Sequence, residues 1–371
     1  MHDSAQARRF VAELLDGAVA QGIAPGAVAL VWRDGESVWH SAHGVLATDP
    51  RSDVAGTPVT TDTVYDLASL TKVLSTTSLV ALLVAEGRMR LEETVPTPWS
   101  AACPDATLRD LLEHAAGLVA HREYFTRVAP GAREALLAEV MATPAAAPPR
   151  KVALYSDLGF LILGAWIERV TGEPLDVAFE NRIGGPIAKG SLAYRPRIGG
   201  RWPEAGLGIA PTEVYDPGLH AAEPTWLSLR AREAMMAHGV VHDDNCFVMD
   251  GVAGHAGLFG TARGVATVAQ AWLDGDLPGV GAELRDTFWT ASTVPGSTRR
   301  LGFDGVSEGG STAGVTSQDA VGHLGYTGTS LWIDPPRRTL YVLLTNRVHP
   351  VRDDTRIREL RREFHKAASL L

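Results

Sequence analysis

Asp66-Leu67-Ala68-Ser69-Leu70-Thr71-Lys72, continuing as Val73-Leu74-Ser75-Thr76-Thr77-Ser78-Leu79-Val80-Ala81-Leu82-Leu83-Val84-Ala85-Glu86-Gly87, decides how the chain is read. From Val73 onward it reads as a helix that stops at Gly87, a residue that tolerates a left-handed cap. The helix is apolar or small nearly all round, so it belongs in the interior. Ser69 opens it and Lys72 follows one turn on, and residues three apart share a face. A hydroxyl at a helix start feels the positive end of the dipole. A lysine among apolar walls is pushed toward its neutral, basic form, ready to take a proton as the oxygen attacks. Taken alone, Ser-x-x-Lys is also what an N-cap serine and a snorkelling lysine look like. The rest of the chain has to choose between the two.

Tyr155-Ser156-Asp157 precedes a second strongly apolar helix, Leu158 to Val170. A phenol at that helix start is placed to share the proton or pass it to a leaving group. Asp157 either orients Lys72 or a polar group of the substrate, or caps its own helix. Far downstream, Gly322-His323-Leu324-Gly325-Tyr326-Thr327-Gly328-Thr329 reads as a strand broken by glycines, where a ligand can come close. His323 reads as a cleft residue rather than a base. Gly309-Gly310-Ser311-Thr312-Ala313 fails the G-x-S-x-G elbow at its last position, and neither a P-loop nor a dinucleotide fingerprint occurs.

Ser69-x-x-Lys72, Tyr155-x-Asp157 and His323-x-Gly325, in that order, resemble the penicillin-recognising serine hydrolases. The nearer likeness is to class C β-lactamases and to the esterases and D-peptidases built like them. It extends to Tyr65-Asp66-Leu67-Ala68, to Leu108 through Leu118, to Gly257-Leu258-Phe259-Gly260-Thr261-Ala262 and to Leu344-Thr345-Asn346-Arg347. Two positions depart from the family pattern. Asp157 stands where Asn is usual, and His323 stands where the lactamases carry lysine. A mostly neutral histidine grips a substrate carboxylate less well than a lysine, so the resemblance implies an esterase or D-peptidase/amidase with weak or no β-lactamase activity. It also implies an acyl-enzyme on Ser69, with the backbone amides of Ser69 and Tyr326 as oxyanion donors and Gly325 letting the strand approach the substrate. Whether Lys72 or Tyr155 takes the first proton stays open, since coupled groups titrate as a unit. An acyltransferase and a non-catalytic sensor on the same fold are the alternatives.

The bulk numbers agree with an enzyme on small molecules. The chain has 371 residues, 45% hydrophobic and 21% charged, enough for a large core. A net charge of −9 gives no electrostatic case for nucleic acid. The partner expected is a small ester, amide or β-lactam-like substrate, with no cofactor and no metal. His242, Asp243 and His255 fit no metal-ligand spacing and read as a polar loop, a pocket lining or, least of all, ligands. Cys103 and Cys246 read as two free thiols rather than a bridge. No window approaches the ~18 apolar residues of a membrane span, and the first residues lack a signal-peptide pattern, so the expected location is cytoplasmic. Nothing in the sequence speaks to oligomeric state.

Residues 4–20 read as an amphipathic helix with Phe10, Val11, Leu14, Leu15 and Ala18 inward. Ala27–Trp32 and Ser37–His43 flank a D-G turn. Thr107 with Asp110 begins a helix, and Ala132–Met141 makes another. The Gly- and Pro-dense stretch 184–225 reads as cleft wall, and Leu227–His238 as helix. A closing hairpin (328–345) and a C-terminal amphipathic helix (353–370) finish the chain. The fold class expected is α+β: an antiparallel sheet flanked by N- and C-terminal helices, with an inserted helical domain. The expected boundaries are 1–66 plus 246–371 for the sheet domain and 67–245 for the mainly helical one.

Overall fold

Asp34 and Gly35 take φ of 51° and 84°, as a two-residue hairpin turn requires, and join strand β1 (Gly26–Arg33) to β2 (Glu36–Gly44). A computed structural model describes this and the rest of residues 4–195, 208–216 and 236–371. β3 (Tyr65–Asp66), β4 (Leu192–Tyr194) and β5 (Leu258–Gly260) form a small sheet in the order β3-β5-β4. β6 (Asp304–Gly305), β7 (Val321–Leu324), β8 (Ser330–Asp334) and β9 (Thr339–Thr345) complete a six-stranded sheet of order β2-β1-β9-β8-β7-β6. Its pairings are antiparallel throughout.

Side chains alternate across this sheet. Ala27, Ala29, Val31, Tyr341 and Leu343 pack under the helices Ser4–Ala20 and Ile357–Ala368, through Val11, Leu15, Leu360 and Phe364. Val28, Leu30, Leu340, Val342 and Leu344 face the larger core, which they share with the helix Ala262–Asp274 and the helices of the middle of the chain. The α+β architecture with an antiparallel sheet flanked by the N- and C-terminal helices is the one expected, and both helices lie on the same face. Phe10 differs: it is 49% exposed. The buried stripe runs Ala7, Val11, Leu15, Ala18, and at 100° per residue Phe10 lies past its edge.

The buried segment after Ser69 is not a plain α-helix. Lys72–Thr77 winds as a π-helix and Ser78–Ala85 as α, with Gly87 left-handed at φ 70° behind Glu86. π-turns of this kind recur at functional sites. Thr107 and Asp110 form the expected capping box. Within 184–225, Leu192–Tyr194 is strand rather than loop; most of the remainder, and most of the expected helix 227–238, lies outside the described residues. Cys103 and Cys246 are both buried free thiols.

Candidate active site

Ser69 sits on a turn fastened from both sides. Ala68, just before it, takes φ 47°, a conformation that a Cβ makes costly. The Asp66 carboxylate holds it there by accepting the Ala68 N–H at 2.8 Å, with its other oxygen accepting the His242 N–H at 2.7 Å. The Leu67 N–H donates to the Leu258 carbonyl of β5. From the β7–β8 connection, Thr327 Oγ1 donates to the Asp66 carbonyl at 2.8 Å and Thr329 Oγ1 to the Leu67 carbonyl at 3.1 Å. Gly325 is there for this seam. A Cβ on it would meet Thr329 Oγ1 at 2.0 Å and the Leu67 carbonyl at 2.7 Å, so the missing side chain lets strand and serine turn touch.

Tyr155 reaches the same point from the opposite wall. Its neighbours are pinned: the Ser156 N–H donates to His114 Nδ1, Ser156 Oγ to the Val119 carbonyl, and the Asp157 N–H to the Ala120 carbonyl. The His114 ring packs against the phenol at 4.7 Å. The Tyr155 hydroxyl then lies 2.8 Å from Ser69 Oγ, and Lys72 Nζ lies 3.0 Å from the same oxygen.

Lys72 is fully buried, but it is not left among apolar walls. Nζ is also 2.8 Å from Asp157 Oδ1 and 3.2 Å from the His255 carbonyl. Burial is the largest influence and would lower its pKa; the charge of Asp157, with Tyr155, outweighs it and pushes Lys72 up to about 12. The expectation of a neutral lysine is therefore corrected: at rest it is an ammonium. Asp157 pairs with Lys72 from the first residue of its helix. Despite burial, the charge of Lys72 holds it far below the usual carboxylate range. Its second oxygen accepts from His121 Nδ1 at 3.1 Å. Burial pushes the Tyr155 phenol up, with the Lys72 charge opposing.

These groups open onto a cavity of about 830 Å³. His323 lines it with Nδ1 donating to the Leu324 carbonyl at 2.9 Å and Nε2 unpartnered among the described residues. Burial and the nearby Lys72 and Arg299 charges lower its pKa to about 3, so it is neutral. Tyr326 is 53% exposed, its ring stacked on the Arg347 guanidinium and His242. Among the described residues, neither the Ser69 nor the Tyr326 N–H donates to a backbone carbonyl. His242 and Asp243 border the cavity, yet their atoms are engaged: His242 Nε2 bonds Glu213 Oε2 at 3.1 Å and Asp243 Oδ1 bonds His255 Nε2 at 2.8 Å. Three further cavity residues stand outside the motifs, two of them in the loop 119–130. Arg299 lies with its guanidinium 5.1 Å from the Tyr155 ring centroid; His121 is the partner of Asp157; and Glu123 sits beside it. None belongs to a motif, and only the three-dimensional path of their loops brings them in.

The chain belongs to the beta-lactamase family, whose model matches residues 11–366. That family is one of hydrolases of the β-lactamase and penicillin-binding type. Over 359 residues the chain is 32% identical to a protein of Escherichia coli O157:H7 named putative D-alanyl-D-alanine carboxypeptidase, spanning 89% of this chain and 80% of that one. It is 30% identical over 373 residues to the N-acetylmuramyl-L-alanine amidase of Bacillus subtilis, 93% of this chain and 82% of the relative. Among solved structures, SurE superposes at TM-score 0.69 with 25% identity, covering 98% of this chain and 76% of that one. The simvastatin synthase LovD of Aspergillus terreus shares the fold at TM-score 0.72 and 18% identity, over 100% and 98% of the two chains. Among the described residues, no helix is long and apolar enough to cross a membrane.

Proposed function

We propose that the protein is a serine hydrolase working through an acyl-enzyme on Ser69. The observation that carries this reading is the position of Ser69 Oγ, within hydrogen-bond reach of Tyr155 at 2.8 Å and Lys72 at 3.0 Å at once. The reactive form is the one in which the Tyr155–Lys72 pair, which titrates as one unit, has lost a single proton to solvent; Ser69 Oγ then attacks the carbonyl and its proton refills that place in the pair. The Lys72 ammonium favours the phenolate side of that exchange. The N–H groups of Ser69 and Tyr326 receive the oxyanion, and the pair returns the proton to the leaving group. Water then releases the acyl group.

A D-peptidase or amidase reading is favoured over a plain esterase by Arg299. A guanidinium against the catalytic phenol, in a cleft where His323 is neutral, gives a fork for a substrate carboxylate. The names of the E. coli and B. subtilis relatives point the same way. Ser69→Ala should lower hydrolysis of p-nitrophenyl butyrate by more than the ~10²–10³ typical of one lost oxyanion donor. Near-normal turnover would end the reading. Arg299→Ala should raise KM for a D-alanyl-D-alanine peptide and leave the uncharged ester's KM alone. Equal effects on both would return the enzyme to the esterases.

A further inference from the structure

His121 stands outside every motif of the chain, yet it is joined to the nucleophile by a continuous line of contacts. Its Nδ1 lies 3.1 Å from Asp157 Oδ2; Asp157 Oδ1 lies 2.8 Å from Lys72 Nζ; and Lys72 Nζ lies 3.0 Å from Ser69 Oγ. The two ends differ sharply in surroundings. Lys72 is sealed, with no side-chain exposure, while the His121 side chain is 42% exposed and lines the cavity. One carboxylate is thus divided between a cation that solvent cannot reach and an imidazole that it can.

We propose that His121 is a positioning residue that sets how tightly Asp157 holds the proton on Lys72, and so makes the reactivity of Ser69 answer to pH at the cleft mouth. The inference rests on Ser69 being the nucleophile. When His121 is charged, it competes with Lys72 for the one negative charge of Asp157, and the Lys72–Tyr155 pair gives up a proton more readily. When His121 is neutral, its N–H still orients Asp157, but the whole carboxylate charge falls on Lys72.

The groups facing His121 are Asp157 from the helix Asp157–Thr171, Asp243 from the segment ahead of the helix Asp244–Val248, and Glu123 and Arg122 on its own loop. Despite burial, Lys72 holds Asp157 and His255 holds Asp243 well below the usual carboxylate range, so neither changes charge near neutrality. His121 itself is raised above its ordinary value, first by the Asp157 hydrogen bond, with burial opposing.

The test is the pH dependence of Ser69 labelling by a fluorophosphonate in the wild type and in His121→Asn. Asparagine keeps an N–H for Asp157 but cannot titrate. Removing one charge two hydrogen bonds away is worth about tenfold in a proton equilibrium and somewhat less in a rate. The ratio of wild-type to variant labelling rates is therefore expected to fall about three- to tenfold as pH rises through the His121 titration. In an Asp157→Asn background the same His121 substitution should leave the ratio flat. A flat ratio in the wild-type background overturns the proposal, as does a pH-dependent ratio that survives Asp157→Asn. His121→Gln replaces the Asn variant if that one does not fold. Absence of labelling at every pH refutes the nucleophile itself, a result distinct from labelling with a flat ratio.

Discussion

Replacing Asp157 by asparagine tests the electrostatic core of the site. Asparagine keeps an oxygen for Lys72 Nζ at the place of the present 2.8 Å contact and removes the charge. A unit pair at that distance interacts by about 6 kcal/mol at an effective dielectric of 20. The Asn dipole recovers part of this, and Asp157, 16% exposed, is partly screened by solvent. A remainder of about 3 kcal/mol corresponds to about two pK units. Lys72 would then drop from about 12 to ~10 or lower, and the share of free amine at pH 8 would rise ~100-fold. The sign follows from the cation losing its anion: the rising limb of the kcat/KM profile, on which the Lys72–Tyr155 pair loses its proton, should move to lower pH. The assay is hydrolysis of p-nitrophenyl acetate from pH 6 upward, with circular dichroism to confirm folding. A folded variant whose limb stays where the wild type has it would refute the claim that Asp157 keeps Lys72 charged.

Two further outcomes follow from the geometry. Lys72→Ala and Tyr155→Phe should each cut turnover steeply, with the double variant little worse than either, because the two groups handle one proton; additive losses in the double-mutant cycle would separate them. Gly325→Ala should lower the melting temperature by the equivalent of about 1–3 kcal/mol, as overpacking does, and lower activity with it, because its Cβ would press on Thr329 Oγ1 and the Leu67 carbonyl. An unchanged melting temperature would mean that the seam between strand and serine turn is slack.

What the sequence made legible was whatever is periodic or locally capped. The Asp34-Gly35 turn, the Thr107–Asp110 box and the helix Ser4–Ala20 are set by neighbours within a few residues, and their reading needed no tertiary knowledge. The meeting of Ser69, Lys72 and Tyr155 was expected through the order of motifs. The charge on Lys72 was not legible, because it depends on a carboxylate 85 residues away whose direction no spacing gives. Likewise Arg299 and His121 carry no motif, and their places depend on loops that cross the cleft. Phe10 differs for a geometric reason: the stripe inferred from helical periodicity is wider than the one that the sheet and C-terminal helix cover.

The two threonine hydroxyls that tie Asp66 and Leu67 to the β7–β8 connection have a mechanical consequence. They make one block of segments some 260 positions apart, so Ser69 and Tyr326 ride together, whereas Tyr155 rides with the opposite wall and its anchors at His114 and Val119. Any widening of the gap, to admit a bulky guest or let a product go, thus parts the phenol from the alcohol while leaving the alcohol and the Tyr326 amide in register.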